Sequence, residues 1–175
     1  ESPLTVSAEA ASRPPAKLGL PVGTSITVRE AATALAVRSA NDVAVVVAEG
    51  VAGSEEAFAR QMNARARAIG MSRTHFVNAS GLPDEGQIST ARDMALLALQ
   101  LRTRFPAYQN FFTLKEFRFN GRRYEATNKL LGKVPGVDGL KTGYIRASGF
   151  HLVATAQRGN KRLIAVVMGL SLIHI

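Results

Sequence analysis

The amino-acid sequence predicts an α+β fold in which helices precede an antiparallel sheet. Helix start signals and helical periodicity occur before about residue 112. After residue 113 the pattern changes to short apolar runs separated by turn residues, among them Asn120-Gly121 and Gly159-Asn160. We therefore interpret residues 27–112 as a helical lobe and residues 113–170 as antiparallel strands.

The length and composition fit one globular domain, or a large part of a two-lobed one. The 175 residues are 46% apolar and 20% charged, as in an ordinary soluble domain. No run approaches the roughly 18–20 apolar residues of a membrane span. The chain opens at Glu1-Ser2-Pro3 without an initiator Met or a signal segment, and residues 170–175 carry no helix or cap signal. We therefore expect residues 1–175 to be an incomplete domain.

Charge and residue usage favour some partners and exclude several kinds of chemistry. The formal net charge is +9, with sixteen Arg and six Lys, which favours anionic partners. No stretch holds four basic residues together and no aromatic stacking platform accompanies them, so the sequence predicts no nucleic-acid binding. There is no Cys, and His75, His151 and His174 lack metal-ligand spacing. We therefore predict no disulfide, no metal and no cofactor.

The start of the chain is rich in Pro and Gly and shows little periodicity. Residues 1–26 are expected to be irregular surface chain with one short strand near Leu4–Val6. Thr27 and Glu30 then form a capping-box pattern, because the hydroxyl and the carboxylate can each bind a free backbone N–H of a helix start. This pattern predicts a helix to about Arg38.

Residues 42–50 form a nearly continuous apolar run, so periodicity alone does not separate a buried helix from a buried strand. The preceding Asn41 and the glycines that close the run favour a helix. Ser54 is expected to begin the next helix, which Gly70 ends.

The last helix of this lobe follows a loop that contains a possible short strand at Thr74–Val77. Thr90 is its predicted N-cap, and it is expected to end near Arg102–Arg104. In the second half, Asn120-Gly121 predicts a hairpin, and three further strands are expected around residues 137–144, 149–156 and 162–168.

Two short polar motifs are the candidates for chemistry. Lys141-Thr142-Gly143 is poor core material, because an ammonium must stay near water or an anion and a glycine gives a strand nothing to pack. The triplet suits an edge strand that receives a ligand, with a hydroxyl and a positive charge to offer. Ser39-Ala40-Asn41 lies between two predicted helices, and its simplest interpretation, taken alone, is a turn and an N-cap.

Taken together, the two motifs resemble those of the penicillin-recognising serine acyl-transferases. The similarity to low-molecular-mass D-alanyl-D-alanine carboxypeptidases, serine peptidase family S11, covers about residues 25 to 170. It rests on five stretches in order: Ser39–Ala44, Gly70–Phe76, Gly81–Asp84, Ser89–Ala95 and Val137–Gly143. Class A β-lactamases fit less well, since no Glu-x-x-Leu-Asn segment is present. The resemblance implies a penicillin-binding-protein or β-lactamase-like transpeptidase fold, an antiparallel sheet with a helical lobe, whose N-terminal part is missing here.

The resemblance also implies acyl transfer through a serine ester, a hydrolase chemistry. In the family the nucleophile lies in a Ser-x-x-Lys motif that precedes Ser-x-Asn, because a serine needs a neighbouring base to accept its proton. None of the eleven serines of this sequence has Lys three residues on. We therefore expect no nucleophile in this chain and no activity from the chain alone.

The remaining family roles can be transferred to matching positions. The implied catalytic residues are Ser39, Asn41 and Lys141: a proton relay, a hydrogen-bonding amide and a positive charge. The implied substrate-binding residues are Thr142, Gly143 and Tyr144. Thr142 would bind the terminal carboxylate, and the N–H of Tyr144 would form part of the oxyanion hole.

The implied partners are a peptidoglycan stem peptide ending in D-Ala-D-Ala and, as inhibitors, β-lactam antibiotics. The implied place is the periplasm and the implied process is cell-wall biosynthesis and cell shape; whether a membrane anchor exists is left open. Two alternatives are kept: a non-catalytic peptidoglycan-binding relative that lost the nucleophile, and a D,D-endopeptidase of the same superfamily, which cuts cross-links.

Overall fold

Helices pack against one another and against a three-stranded antiparallel sheet in the computed structural model, which describes residues 2–171. The predicted α+β class is therefore confirmed. The helices are α1 (Ala8–Ser12), α2 (Val28–Arg38), α3 (Asn41–Ala52), α4 (Glu55–Ala68), α5 (Ala91–Arg104) and a 3₁₀ helix (Pro106–Thr113). The strands are β1 (Pro3–Thr5), β2 (Ser25–Thr27), β3 (Glu116–Phe119), β4 (Arg122–Glu125), β5 (Val137–Ile145), β6 (Gly149–Arg158) and β7 (Lys161–Leu170).

The N-terminal segment is part of the core, so its prediction as irregular surface chain was wrong. The expected short strand is present as β1, but it pairs antiparallel with β2, which the sequence did not predict. Five apolar side chains of the segment are buried: Val6, Ala10, Leu18, Leu20 and Ile26. The helix between the two strands has only five residues, too few for a helical period to be visible in the sequence.

The buried carboxylate of Asp42 holds this segment against α3. It accepts hydrogen bonds from the backbone N–H groups of Leu18, Gly19 and Leu20, at 3.1, 2.8 and 3.3 Å. The Asp42 side chain has no exposed surface. A buried carboxylate is stable only when its oxygens are hydrogen-bonded, so Asp42 and the three amides depend on one another.

Helices α2, α3 and α4 lie where the sequence predicted them, and α2 and α4 have the predicted side-chain caps. Thr27 and Glu30 form both hydrogen bonds of the capping box at the start of α2. The apolar run after Ser39-Ala40-Asn41 is a helix, α3, and almost all of its first turns are buried. Ser54 caps α4 by accepting from the N–H of Ala57.

The loop between α4 and α5 contains no strand at Thr74–Val77, so that prediction was wrong. A single antiparallel bridge joins His75 to Ile88. The loop is held mainly by side chains, among which Asp93 of α5 is central. Its carboxylate accepts from the Thr74 hydroxyl at 2.7 Å and from the Arg73 N–H at 2.9 Å. The Thr74 hydrogen bond is the main cause that lowers the pKa of Asp93 below its ordinary value of 3.8.

The lowered pKa of Asp93 predicts an acid-dependent loss of folding stability. The ionised carboxylate contributes stability above its ordinary pKa of 3.8, and this contribution is lost as the pH falls through the lower pKa of the folded state. We expect Asp93→Asn to lower the melting temperature at pH 6, with a difference from the parent chain that shrinks below about pH 4. Thermal melts from pH 2.5 to 6 measure this; Glu85→Gln, an exposed carboxyl, is the control. A difference that stays constant with pH would contradict the prediction.

Strands β5, β6 and β7 form the predicted antiparallel meander, in that order. Helix α5 and the 3₁₀ helix cover one face of the sheet, where Ala98, Leu140 and Val153 form a buried cluster. The predicted hairpin at Asn120-Gly121 is confirmed as β3–β4, with both turn residues at positive φ, 46° and 74°. It forms its own two-stranded sheet.

No helix within residues 2–171 is both long and apolar enough to cross a membrane. Residues 170–175, in which the sequence shows no helix or cap signal, lie mostly outside the described residues, although Leu170 still belongs to β7.

Candidate functional site

Ser39 lies at the junction of α2 and α3, as the sequence predicted. It is the C-cap of α2 and has a left-handed backbone, φ 60° and ψ 44°, which is uncommon for a residue other than glycine. The N-cap position of α3 is Ala40, which offers no side-chain hydrogen bond. The tripeptide does form the connection between the helices, but its interpretation as a polar N-cap is wrong, and neither polar side chain caps α3.

Asn41 is the first residue of α3 and is 8% exposed. Its side-chain nitrogen donates to the carbonyl oxygen of Pro14 at 3.0 Å, and its backbone N–H donates to the carbonyl of Ala16 at 2.7 Å. The Pro14 contact fixes the amide orientation, since the opposite orientation would place two oxygens together. One N–H and the oxygen of the Asn41 amide therefore remain to serve a ligand or a neighbouring group.

Lys141, Thr142 and Gly143 lie on β5, which is the edge strand of its sheet among the described residues. The predicted edge position is thus confirmed. A side chain at Gly143 would meet the protein only at ordinary contact distance, 3.7 Å from His151 Cβ. The fold itself therefore does not require glycine there. A free strand edge with a glycine can receive an extended peptide as an additional strand.

The Lys141 side chain is half-buried and donates from Nζ to the carbonyl oxygen of Thr142 at 2.8 Å. Burial disfavours the charged form, so it lowers the pKa of Lys141 to about 8 from its ordinary 10.5. The group is still largely cationic at neutral pH. A partly desolvated cation attracts an anionic ligand more strongly than one in bulk water.

The lowered pKa of Lys141 predicts that the difference in free energy of unfolding between the parent chain and Lys141→Met changes with pH. Between about pH 8 and 10.5 the unfolded state binds more protons at Lys141 than the folded state does, so stability rises with pH. We expect Lys141→Met to be the more stable of the two at pH 7, with its advantage shrinking toward pH 10. Chemical denaturation at pH 7, 8.5 and 10 measures the difference. If the difference in free energy of unfolding is the same at all three pH values, the pKa of Lys141 is not lowered by burial.

Thr127 links the two motifs, and no pattern in the sequence reveals it. Its hydroxyl accepts a hydrogen bond from the Thr142 hydroxyl at 2.7 Å, and its backbone N–H donates to the carbonyl of Val37 at 3.1 Å. Val37 is in the last turn of α2, two residues before Ser39. These two hydrogen bonds, Thr142–Thr127 and Thr127–Val37, therefore attach the Lys-Thr-Gly strand to the end of α2 that carries Ser39. An isolated Thr before a loop carries no local signal of such a contact.

Tyr144 continues the edge strand beyond Gly143. Its side chain is 59% exposed, and its ring packs on Phe150 with centroids 4.4 Å apart. The contact anchors the strand where it enters the turn to β6. The role expected of Tyr144 concerns its backbone N–H and stays a prediction.

The two motifs are not joined by a direct side-chain hydrogen bond in the described part of the chain. Within residues 2–171 no hydrogen bond joins the side chain of Ser39 or Asn41 to Lys141, so the expected orientation of Ser39 by Lys141 stays a prediction. In the same range no group of three His, Asp or Glu side chains is arranged to hold a metal ion.

The architecture is that of penicillin-binding proteins. A crystal structure of the D-alanyl-D-alanine carboxypeptidase DacD from Francisella tularensis matches with a TM-score of 0.92 and 28% identity, over 97% of this chain and 54% of that one. Penicillin binding protein 5 from Haemophilus influenzae matches with a TM-score of 0.91 and 34% identity, over 95% of this chain and 50% of that one. The predicted fold family is confirmed.

The chain belongs to the D-alanyl-D-alanine carboxypeptidase family, peptidase S11, whose model matches residues 1–171. It is 40% identical over 171 residues to the carboxypeptidase DacF of Bacillus subtilis, covering 94% of this chain and 43% of that protein. It is also 40% identical over 148 residues to DacA of Escherichia coli K12, covering 84% of this chain and 37% of that protein. The chain thus spans less than half the length of these curated relatives.

Proposed function

We propose that this chain is part of a serine-type D-alanyl-D-alanine carboxypeptidase, which removes the terminal D-alanine of peptidoglycan stem peptides through an acyl-enzyme. The observation that carries the proposal is the Thr142–Thr127–Val37 connection. It attaches an edge strand bearing a hydroxyl and a partly buried cation to the turn bearing Ser39 and Asn41. Family membership supplies the reaction that such an arrangement would serve.

The substrate would lie along the free edge of β5, with its backbone hydrogen-bonded to the strand. Thr142 would donate its hydroxyl to the terminal carboxylate, and Thr127 would then donate its own hydroxyl to Thr142 Oγ1, which keeps the two residues hydrogen-bonded. Lys141 would keep the region positive, which favours both that carboxylate and a serine alkoxide. The remaining N–H of the Asn41 amide would hydrogen-bond the substrate's peptide carbonyl.

Ser39 would relay to the leaving amine the proton that the nucleophilic serine gives up through its neighbouring Lys, as the peptide C–N bond breaks. Water would then hydrolyse the acyl ester and restore the serine. The acceptor of the acyl group would be a serine activated by a neighbouring Lys, and the N–H of Tyr144 would stabilise the oxyanion of the tetrahedral intermediate. This sequence contains no Ser-x-x-Lys. We therefore propose that the 175-residue chain alone forms no acyl-enzyme, and that the nucleophile comes from another part of the protein.

The proposed setting is the bacterial periplasm, where the substrate is found. Penicillins would inhibit by acylating the same nucleophile. The one specific observation that favours a second function is the missing Ser-x-x-Lys: a relative without a nucleophile would keep the cleft and bind peptidoglycan without cutting it.

The test is to express the full-length protein and measure D-alanine release from a peptide ending in D-Ala-D-Ala, together with covalent labelling by a penicillin. We expect both activities in the full-length protein and neither in the 175-residue chain. Release from a cross-linked peptide only would favour the endopeptidase. A folded full-length protein that is neither labelled nor active, yet binds peptidoglycan, would replace the proposal with the binding relative.

A further inference from the structure

Arg38, the residue before Ser39, is a partly buried cation that lacks a carboxylate partner in the described part of the chain. Within residues 2–171 three arginines are not exposed: Arg13, Arg38 and Arg102. Arg13 pairs with Glu55, and Arg102 pairs with Asp138. No carboxylate of the described residues pairs with Arg38. A partly buried cation without an anion is costly, so Arg38 is a candidate to bind an anion from outside these residues.

Two contacts hold the Arg38 side chain in place without neutralising it. The residue lies in the last turn of α2, where the negative end of the helix dipole favours a cation. Its guanidinium lies over the ring of Tyr124, 5.9 Å from the ring centroid. Tyr124 is itself fixed by packing on Phe117, with ring centroids 6.1 Å apart. The Nη1 and Nη2 groups at the outer end of the guanidinium, unlike the buried Nε, are open to solvent and have no acceptor within residues 2–171.

Arg38 lies beside the candidate site, because the residues on either side of it belong to that site. It directly precedes Ser39, and it directly follows Val37, whose carbonyl oxygen accepts from the backbone N–H of Thr127 at 3.1 Å. The Thr127 hydroxyl accepts from Thr142 on the edge strand at 2.7 Å. Helix α2 also packs against both strands of the β3–β4 hairpin. Arg38 therefore lies between the Ser39 turn and this hairpin, close to the strand edge along which a substrate would extend.

We propose that Arg38 binds a carboxylate in the side chain of the residue that precedes the two D-alanines of the substrate. The inference rests on the proposed function and deepens it, because it concerns a part of the peptide that the Lys-Thr-Gly strand does not select. The terminal carboxylate is assigned to Thr142, and the scissile bond to Ser39 and Asn41. An acidic side chain at the preceding residue is a further anion of such a peptide, and a planar guanidinium can donate two parallel N–H groups to it. The enzyme therefore prefers an acidic residue to a neutral one before D-Ala-D-Ala.

The test is the hydrolysis of two peptides by the full-length protein, N-acetyl-L-Glu-D-Ala-D-Ala and N-acetyl-L-Gln-D-Ala-D-Ala. Their side chains are close in size and differ in charge. D-alanine release gives the ratio of kcat/KM for the Glu peptide to that for the Gln peptide. We expect a ratio of about five or more in the parent protein, carried mainly by KM, as for one charge-assisted hydrogen bond. Arg38→Gln should bring the ratio to about one, and Arg38→Lys should give an intermediate value, because a point charge replaces the guanidinium fork.

Arg118→Gln is the matched control, since Arg118 is an exposed arginine of the same β3–β4 hairpin and should leave the ratio unchanged. Each ratio compares two peptides on one preparation, so it does not depend on the folded fraction of a variant. An equal fall of the ratio in Arg118→Gln would overturn the inference, because the preference would then come from the overall positive charge of the protein.

The remaining outcomes separate this inference from the proposed function. If the parent protein releases D-alanine equally well from both peptides, Arg38 selects nothing and the inference is overturned while the proposed function stands. The same holds if Arg38→Gln keeps the ratio of the parent, which would give Arg38 a structural role with a carboxylate elsewhere in the full-length protein. If the folded full-length protein releases D-alanine from neither peptide, the proposed function fails and the inference fails with it.

Discussion

Replacing Lys141 with Met is expected to slow acylation of the full-length protein by a penicillin by about 100- to 10,000-fold. The half-buried ammonium is the positive charge of the edge strand, and its partial desolvation increases its effect on an anion in the cleft. Methionine keeps a side chain of similar length without the charge. The measurement is the second-order rate constant of labelling by a fluorescent penicillin, with the folded fraction checked by thermal melting.

Lys129→Met is the matched control, because the Lys129 side chain is 65% exposed and pairs with the exposed Glu125. We expect it to leave the acylation rate within a factor of about two, as for most surface substitutions. If Lys141→Met acylates as fast as the Lys129 variant, the positive charge of β5 has no part in the reaction. The proposed mechanism would then have to be abandoned, even though family membership would stand.

Replacing Asp42 with Ala is expected to destabilise the chain by about 3–5 kcal/mol, because buried N–H groups lose their acceptor. The carboxylate binds the amides of Leu18, Gly19 and Leu20, and two of these residues are themselves buried. Asp42→Asn keeps one acceptor oxygen and is expected to fall between the parent and the Ala variant. Chemical denaturation gives the free energies of unfolding.

Asp84→Ala provides the comparison for Asp42. Asp84 also accepts a backbone N–H, that of Gly86 at 2.8 Å, but both groups are exposed to water. Water can replace this hydrogen bond, so we expect a loss below about 1 kcal/mol. Equal losses at the two positions would mean that Asp42 does not hold the N-terminal segment in place.

Local signals were sufficient where each structural element carries its own cap or turn residues. Thr27, Ser54 and Thr90 each bind a backbone N–H at a helix start, as predicted. Asn120-Gly121 forms the expected hairpin turn because both residues tolerate positive φ. These contacts connect residues within three positions of one another, so the sequence displays them directly.

Elements that depend on distant partners were not predicted. Helix α1 and strand β2 are short, and the segment that contains them is held by Asp42, more than twenty residues away from its nearest amide partner. The 3₁₀ helix at Pro106–Thr113 was missed because its eight residues show no helical period of 3.6. Only the structure shows that this helix packs against one face of the sheet.

The candidate site also combines residues that have a local sequence signal with residues that are placed by distant partners. The sequence identified the two motifs only as a pair. Lysine and glycine are unusual on a strand, whereas Ser39-Ala40-Asn41 alone resembles an ordinary turn and gained its meaning from the order of motifs in the family. It did not identify Thr127, whose two hydrogen bonds connect the motifs. It also did not identify Arg38, because only the structure shows that this side chain is partly buried and has no carboxylate partner within residues 2–171.

The free edge of β5 also bears on solubility. An unpaired strand edge that could accept an extended peptide is equally able to accept the edge of another copy of the chain, which is the first step of aggregation. Natural proteins discourage such pairing with charged side chains on the edge strand, and Lys141 is such a residue on β5. The same lysine would therefore attract an anionic peptide and repel a second basic chain, allowing the edge to remain open to its ligand without polymerising.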